Sequence, residues 1–362
     1  MLYGKAAVLV KPNQLETWEV PIADPEPGGA LVKVVVGGVC GSDFHIVSGD
    51  AGEMPFPIIL GHEGVGRLEK LGAGVKTDYA GTPVRTGDMV YWVPIAQCHR
   101  CRACTVLDEM PCENSQFFEH AEKPNWGSYA DYAWLPNGLA FFKLPDGANP
   151  DAVASLGCGL PTALGGIAQC GPIQVGENVV VQGAGQVGLA SVMVASLAGA
   201  KEIIVLDHSE KRLNVAKSMG ATATISLAEH NQDERKRMVA DLLGPQGANV
   251  VIEAAGVLPA FPEGMDLTSP YGRYIILGLW GAIGKVSISA RDFSTKNMKI
   301  AGASFHKPKF YHQALELASR HQDRFGLASL VTHRFAIKDA DKALEAAKNG
   351  TAIKPVIDPS LS

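Results

Sequence analysis

The stretch Asn178-Val-Val-Val-Gln182, followed directly by Gly183-Ala-Gly-Gln-Val-Gly188, decides the fold of this 362-residue chain. An apolar strand runs into the pattern G-x-G-x-x-G, and a helix rich in Ala, Val and Leu follows. The first glycine permits a tight turn, the second lets a pyrophosphate approach the backbone, and the third allows close packing of the helix on the strand. The stretch therefore predicts a dinucleotide-binding turn whose cofactor contacts are Gly183, Gly185, Gln186, Val187 and Gly188.

Asp207 ends the next strand, nineteen residues beyond Gly188. A carboxylate at this place accepts hydrogen bonds from the adenosine ribose hydroxyls and repels a 2′-phosphate, which favours NAD over NADP. Lys211 and Arg212 are able to meet a 2′-phosphate. With Asp207 in place, we expect Arg212 to touch the ribose or to be solvated.

Strands and helices alternate on both sides of this turn, from about Ala152 to Leu279. This alternation is typical of the Rossmann fold, a doubly wound parallel sheet, and therefore predicts an α/β protein. Leu279 and Trp280 follow a strand of this sheet, at the edge where ligands bind, and Leu279 is a further candidate cofactor contact.

The parts of the chain outside this alternation of strands and helices have a different sequence pattern. Residues 1–155 hold short β-branched runs between Gly and Pro breaks, which predicts a β-rich domain. Two amphipathic helices and a terminal strand follow residue 300. We expect residues 300–362 to return and complete the first domain, with 156–299 forming the nucleotide-binding domain.

Composition excludes several classes of protein. With 46% hydrophobic and 19% charged residues, the chain is globular and not disordered. The net charge of −5 and the scattered basic residues exclude a nucleic-acid partner. No apolar run is long enough to span a membrane, and the start, from Met1 to Lys5, lacks a secretory pattern. We expect a cytoplasmic protein without a membrane partner.

Four of the seven cysteines form the pattern C-x2-C-x2-C-x7-C, with the residues Cys98, Cys101, Cys104 and Cys112. Four thiols at this spacing are able to converge on one tetrahedral Zn²⁺, the closed geometry of a structural site. The alternative is two disulfides in a secreted loop, which the expected reducing compartment disfavours.

A second candidate metal set brackets this cluster in sequence and consists of Cys40, His62, Glu63 and Cys158. One His and two Cys make a catalytic type of zinc site, in which the fourth position is left for water or substrate.

These motifs together resemble the zinc-dependent medium-chain alcohol dehydrogenases. The stretch GHEGVGRLEKLGAGV, from Gly61 to Val75, fits the family pattern G-H-E-x2-G-x5-G-x2-V throughout. The four-cysteine lobe, GCGLPT and GAGQVG also match, so the resemblance spans essentially the whole chain. It implies a GroES-like β-rich catalytic domain joined to the Rossmann domain, and two zinc ions in each subunit, one catalytic and one structural.

The resemblance also implies residue roles. Cys40, His62 and Cys158 would bind the catalytic zinc, and Glu63 would be either an alternative ligand or an acid behind the ligands. Asp43 would orient His62. Ser42 and His45 would carry the alcohol proton away by way of the nicotinamide ribose. Thr162 would lie under the nicotinamide ring, and Lys354 would lie near the pyrophosphate. Gly41 departs from some relatives, which have a phosphate-binding arginine at that place.

The implied reaction moves a hydride from a primary or secondary alcohol to NAD⁺ and is reversible. Aromatic residues near the motifs favour a bulky, apolar or cyclic substrate, and the candidates are Trp92, Phe44, Phe56, Leu279 and Trp280. The stretch from Gly52 to Gly66 resembles bacterial enzymes that oxidise cyclic terpene alcohols such as hydroxycamphor.

Three alternatives remain open at this point: a polyol dehydrogenase, a zinc-free quinone or enone reductase of the same superfamily, and a non-catalytic, crystallin-like nucleotide-binding protein. Family members form homodimers or homotetramers, so a homo-oligomer is expected.

Overall fold

The computed structural model of the protein describes residues 2–279, 282–304 and 306–362. Trp280, a candidate substrate contact in the sequence, lies outside the described residues. The chain divides into two compact units: residues 1–158 with 307–362, and residues 159–306.

Within the described ranges, the strands are β1 (Leu2–Lys11), β2 (Gln14–Ile22), β3 (Ala30–Gly38), β4 (Ile58–Ile59), β5 (Gly64–Leu71), β6 (Met89–Trp92), β7 (Tyr132–Leu135), β8 (Phe141–Lys143), β9 (Asn178–Gln182), β10 (Glu202–Asp207), β11 (Ala223–Ser226), β12 (Ala248–Glu253), β13 (Thr268–Ile276), β14 (Lys299–Gly302), β15 (Val331–Phe335) and β16 (Lys354–Ile357). The α-helices are α1 (Gly41–Ser48), α2 (Pro150–Leu156), α3 (Gly159–Cys170), α4 (Gln186–Leu197), α5 (Glu210–Ser218), α6 (Gln232–Leu243), α7 (Ala260–Leu267), α8 (Ala290–Thr295), α9 (Pro308–His321) and α10 (Ala340–Lys348).

The first unit is built around β3, whose Val-rich sequence is buried on nearly every residue. This strand pairs antiparallel with β5, β7 and β16. A strand buried on both faces needs apolar residues at successive positions, which this sequence supplies. The chain therefore returns after residue 307 to lay its last strand, β16, against β3, where Val356 faces Gly38.

The second unit is a six-stranded parallel sheet in the order β11-β10-β9-β12-β13-β14. Its centre is β9, whose residues Val179–Val181 are fully buried. Because parallel strands end at one edge, the residues after β9, β10, β12 and β13 gather on the same side of the sheet. The α/β class and the parallel sheet predicted from the sequence are confirmed.

The domain boundaries expected from the sequence need correction. β14 pairs in parallel with β13, with Ile300 opposite Tyr274, so residues 300–306 belong to the nucleotide-binding unit. Residues 156–158 belong to the first unit, where the backbone N–H of Cys158 donates to Glu63 at 2.7 Å. β14 has only four residues and follows a polar segment, so its sequence shows no periodic pattern. Its place in the sheet is determined by its pairing with β13.

No single helix in the described ranges has the length and apolarity that a membrane span requires; α2 and α3 reach them only when they are taken together as a bent pair.

The turn that carries His62 and Glu63 leads into Gly64, which lies against an indole ring. A Cβ at Gly64 would lie 1.8 Å from Trp92 Cζ2. The Trp92 ring is fully buried, and its Nε1 donates to the carbonyl of Trp126 at 3.1 Å. Trp92 is therefore a core residue, which corrects its assignment as a substrate contact.

We predict that Gly64→Ala lowers the free energy of unfolding by about 1–3 kcal/mol or more, because the indole cannot move without loss of its hydrogen bond. The urea midpoint, followed by circular dichroism, measures the change. Gly41→Ala is the control, since a Cβ there meets no atom within 4 Å. Equal midpoints for the two variants would contradict this account of the packing.

Candidate metal centres and dinucleotide loop

The four predicted ligands of the open metal site come together in the first unit. The ligand atoms of Cys40, His62, Glu63 and Cys158 all lie within 4.8 Å of one another. Cys40 immediately precedes α1, His62 and Glu63 precede β5, and Cys158 follows α2. We refer to these four residues as the Cys40 cluster.

The donor set of the Cys40 cluster fits a zinc ion. Zinc–sulfur bonds of about 2.3 Å in a tetrahedron place two sulfurs about 3.8 Å apart. The Sγ atoms of Cys40 and Cys158 are 3.3 Å apart, which is near that edge and too long for a disulfide. Two sulfurs and one imidazole are the soft donors that zinc prefers.

The protonation of the two thiols also favours a cation. A hydrogen bond from Cys158 lowers the pKa of the Cys40 thiol to about 5. The same hydrogen bond, together with burial and the charge on Cys40, raises the pKa of Cys158 well above its usual range. Ionisation of one sulfur thus opposes ionisation of the other. A bound divalent cation would allow both to ionise.

His62 is oriented by a buried chain of hydrogen bonds. Its Nδ1 lies 3.0 Å from Oδ1 of Asp43, which is fully buried. Oδ2 of Asp43 accepts from the Cys40 N–H at 2.9 Å and from the Tyr129 hydroxyl at 2.8 Å. With Nδ1 donating to Asp43, Nε2 is the ring nitrogen left to face a metal. Sequence reasoning had not identified Tyr129.

Ser42 lies beside the two ligands on the first turn of α1. Its Oγ is 3.2 Å from His62 Nε2 and 3.2 Å from Cys40 Sγ. His45 lies one turn further along α1 and is partly buried. Because both residues belong to the helix that Cys40 begins, the first cysteine and the two polar side chains move as one element.

Glu63 is held on both oxygens by groups of the first unit. Oε1 accepts from the Cys158 N–H at 2.7 Å, and Oε2 accepts from Lys354 Nζ at 2.5 Å. Burial alone would raise the pKa of the Glu63 carboxyl. The charges of Lys354 and His62 and these hydrogen bonds overcome burial and lower the pKa to about 2. The ionised carboxylate thus lies behind Cys158 as a hydrogen-bond acceptor.

The expected contact of Lys354 with the pyrophosphate is wrong. Lys354 is only 2% exposed, and its Nζ donates to the carbonyl of Val39 at 2.9 Å as well as to Glu63. Burying an ammonium requires a carboxylate partner, and the ion pair with Glu63 supplies it.

The second cysteine group also closes around one point. The ligand atoms of Cys98, Cys101, Cys104 and Cys112 lie within 4.8 Å of one another. Cys98 and Cys112 are 3.5 Å apart, and Cys101 and Cys112 are 3.8 Å apart. These separations fit a tetrahedral zinc and are too long for disulfides, so the disulfide alternative is not supported.

Backbone amides support the thiolates of this lobe. The N–H groups of Cys98 and Asn114 both lie 3.4 Å from Cys112 Sγ. Hydrogen bonds from the backbone of Arg100 and Cys101 lower the pKa of Cys98 to about 6. His99, inside the lobe, bonds through Nε2 to the carbonyl of Gly138 at 2.9 Å and does not join the four thiols.

In the second unit, the glycine loop has the geometry that phosphate binding requires. Gly183 has φ +94°, and a Cβ there would lie 2.8 Å from the carbonyl oxygen of Ala254. A Cβ at Gly188 would lie 1.9 Å from the carbonyl oxygen of Gly183. Gly185 precedes α4 and has open space beside it, so a ligand can reach the helix N-terminus. Gln186 and Val187 begin this helix.

Asp207 is tied to the same loop at the end of β10. Its Oδ2 accepts from the Ala184 N–H at 2.7 Å, and its Oδ1 accepts from the Ser209 N–H at 2.7 Å. Arg212 donates its backbone N–H to Ser209 Oγ at 3.4 Å, in the first turn of α5. The carboxylate thus lies next to the turn, where a ribose would meet it.

Sequence reasoning missed Glu253 at the end of β12. It is fully buried; Oε1 accepts from the N–H groups of Ala255 at 2.9 Å and Gly256 at 2.6 Å, and Oε2 accepts from Gly278 at 3.0 Å. The carboxylate therefore joins the loops after β12 and β13. Leu279 belongs to the second of these loops and is half-buried, and Thr162 lies half-buried on α3.

Phe117 lies beside the metal ligand His62 and was not among the expected substrate contacts. Its ring centroid lies 5.6 Å from that of His62 and 4.6 Å from that of Phe118. Phe117, like Phe44 and Phe56, also packs against the hydrophobic cluster that contains Leu9.

Comparisons with known proteins agree with this geometry. Residues 26–146 match the alcohol dehydrogenase GroES-like domain, and residues 187–320 match the zinc-binding dehydrogenase family. A 5-exo-hydroxycamphor dehydrogenase from Pseudomonas putida is 66% identical over 361 residues, which cover 100% of both chains. A sorbitol dehydrogenase from Halalkalibacterium halodurans is 32% identical over 93% of this chain and 94% of its own.

Among solved structures, an alcohol dehydrogenase from Thermotoga maritima is 31% identical, with a TM-score of 0.90 over 99% of this chain and 100% of its own. The GroES-like domain and the nucleotide-binding domain expected from the sequence are thereby confirmed. The chain therefore belongs to the zinc-dependent medium-chain alcohol dehydrogenases, which use zinc and NAD⁺ to oxidise an alcohol to its carbonyl compound.

Proposed function

We propose that this dehydrogenase oxidises a bulky, cyclic secondary alcohol to a ketone, with its catalytic zinc on Cys40, His62 and Cys158. The Cys40 cluster is the observation that carries the proposal. It combines two sulfurs 3.3 Å apart, one buried and one partly buried, with an imidazole whose Nδ1 lies 3.0 Å from Asp43 Oδ1. Three protein donors leave one place for the alcohol oxygen, as in other catalytic zinc sites.

The side chains of the first unit supply the proton path. The zinc ion, when bound, acts as a Lewis acid that lowers the pKa of the alcohol, and NAD⁺, when bound, accepts the hydride. Ser42 Oγ lies 3.2 Å from His62 Nε2 and would accept the hydroxyl proton of an alcohol at the open place while giving its own proton to the nicotinamide ribose. His45, on the same helix, would pass that proton to solvent.

The second unit supplies the cofactor site. Gly183, Gly185 and Gly188 would receive the pyrophosphate, at the start of α4 together with Gln186 and Val187. Asp207 would accept from the ribose hydroxyls, and Arg212 would flank them. Glu253 holds the two loops after β12 and β13 by their N–H groups, and we propose that Leu279 and Thr162 contact the nicotinamide.

Phe117 supports an apolar substrate. A phenyl ring beside His62 offers apolar contact area where a polyol would need hydrogen-bonding groups. The relative at 66% identity is named for a bicyclic terpene alcohol, 5-exo-hydroxycamphor. A saturated bicyclic alcohol is compact and apolar, which suits such a surface.

We also propose that the protein works in the cytoplasm as a homodimer or homotetramer. The six reduced cysteine sulfurs of the two proposed zinc sites suit a reducing compartment. β14 is an edge strand, and the segment before it exposes Ile283 (77%) and Phe293 (45%). Exposed apolar side chains beside an unpaired strand edge favour association with a second copy.

The direct test compares the wild type with Cys40→Ala and Cys170→Ala by NADH formation on a panel of cyclic and linear alcohols. Loss of a Lewis acid worth several kcal/mol lowers the rate on the order of a thousandfold, so we expect Cys40→Ala to be nearly inactive and to retain one of two zinc ions. Cys170→Ala removes a buried thiol that belongs to neither cluster, and we expect it to keep both zinc ions and full activity.

Activity that survives in Cys40→Ala would remove zinc from the reaction and favour the zinc-free reductases. Inactivity of the zinc-loaded wild type on every alcohol in the panel would favour the non-catalytic alternative. A preference for sorbitol over bicyclic alcohols would favour the polyol dehydrogenases.

Phe117 provides a separate test of the substrate. We predict that Phe117→Ala raises KM for a bicyclic alcohol about tenfold or more, because roughly 1.5–3 kcal/mol of apolar contact is lost. The same variant should change KM for ethanol little, since a two-carbon chain makes little contact with the ring. Steady-state kinetics on both alcohols, with zinc content checked, measure the effect. Equal changes for both would contradict contact between Phe117 and the substrate.

A further inference from the structure

Cys158 is the proposed zinc ligand that lies farthest along the chain from the other two, in the two-residue link between α2 and α3. It lies 118 residues after Cys40 and follows the end of α2. Cys40 is held by α1, and His62 is held by Asp43. We infer that Tyr91 is the positioning residue that holds Cys158 in place for zinc. This inference rests on the catalytic zinc site proposed above.

The contact is made through one peptide group. The Tyr91 hydroxyl donates to the carbonyl of Gly157 at 3.1 Å. The N–H of Cys158 belongs to the same peptide group and donates to Glu63 Oε1 at 2.7 Å. The C=O and N–H groups of a trans peptide point in opposite directions. Tyr91 and Glu63 therefore hold this peptide from opposite sides. Rotation of its plane would break at least one of the two bonds.

Gly157 makes such support necessary. A glycine has no side chain to limit its own rotation. A Cβ at this position would lie 2.3–2.5 Å from the Glu63 carboxylate, so the close approach of Glu63 requires glycine. Glycine at position 157 therefore leaves the backbone before the zinc ligand without restraint from a side chain. The hydrogen bond from Tyr91 restricts the rotation of that backbone.

The fold places Tyr91 accurately for this task. Tyr91 lies on β6 directly opposite Val65 of β5, two residues beyond Glu63. The strands that present Glu63 and Tyr91 are thus adjacent, and each strand holds one side of the peptide.

The ring of Tyr91 is 2% exposed and lies 6.0 Å from the ring of Tyr311. Burial raises the pKa of the Tyr91 hydroxyl well above its usual range, so the hydroxyl stays protonated and remains a donor.

Tyr91→Phe tests the inference, because it removes the hydroxyl and keeps the ring. The Gly157 carbonyl then loses its donor inside the protein. We expect the catalytic zinc to leave the variant about tenfold to a hundredfold faster in a chelator, the usual cost of removing a group that supports a metal ligand. Zinc release from the fully loaded enzyme, followed by a colorimetric chelator, measures this rate. The zinc of the four-cysteine lobe should be released as in the wild type.

Tyr274→Phe is the matched control, since Tyr274 is an equally buried tyrosine of the second unit whose hydroxyl donates to a different backbone carbonyl, that of Ala260, at 3.0 Å. We expect its zinc release to match that of the wild type. Tyr91→His has a shorter side chain whose ring N–H does not reach the Gly157 carbonyl, and it should release zinc as fast as Tyr91→Phe. It also serves as the test protein if Tyr91→Phe does not fold, with faster release than Tyr274→Phe expected.

The failures of the two proposals are distinguishable. A wild type that binds only the zinc of the four-cysteine lobe would overturn the proposed catalytic site itself. A wild type with two zinc ions, together with wild-type release from Tyr91→Phe, would overturn the role of Tyr91 alone. Equal acceleration in Tyr91→Phe and Tyr274→Phe would also overturn it, because the effect would then come from the loss of any buried hydroxyl.

Discussion

The buried ion pair between Glu63 and Lys354 is the interaction on which the first unit depends. The two side chains are 1% and 3% exposed, and they join the turn before β5 to the last strand of the chain, β16. Removing one partner from such a pair typically costs about 3–5 kcal/mol, because the other charge remains buried. Since Glu63 also accepts from the Cys158 N–H, this pair joins three distant parts of the sequence behind the metal ligands.

The ion pair also explains the discontinuity of the first unit. Residues 307–362 return to it after the nucleotide-binding unit, and β16 pairs with β3 beside Val39, whose carbonyl accepts from Lys354. The carboxyl group of Glu63 is thereby kept ionised with no solvent around it. The negative charge of the Glu63 carboxylate favours a cation among the neighbouring ligands of the Cys40 cluster. Glu63 and Lys354 therefore both hold these ligands in place and contribute to the charge of the site.

The parts of the protein that sequence predicts well are those in which spacing alone determines geometry. The glycine loop from Gly183 to Gly188 and the thiols from Cys98 to Cys104 lie within single turns, so their residue order fixes their shape. The Cys40 cluster depends on long-range contacts, but each of its members carries a family pattern, and the structure brings them together.

The features that could not be predicted from the sequence depend on contacts between distant segments of the chain. β14 joins the parallel sheet by pairing with β13. The four residues of β14 carry no sequence pattern that predicts this pairing. Lys354 carries no motif, and only its burial against Glu63 reveals its partner. Trp92 has the size of a substrate contact, but Gly64 accommodates it in the core. Tyr91, Tyr129 and Glu253 bond to backbone or to a buried carboxylate, and such partners are invisible in one sequence.

The central claim is that each chain holds two zinc ions with different donor sets. X-ray absorption at the zinc edge of the fully loaded protein tests it most directly, because sulfur and nitrogen or oxygen neighbours lie at different distances. We predict an average of about three sulfur donors per zinc, since one site supplies four thiolates and the other supplies two. An average of about four sulfurs, with one zinc per chain, would contradict a zinc ion in the Cys40 cluster.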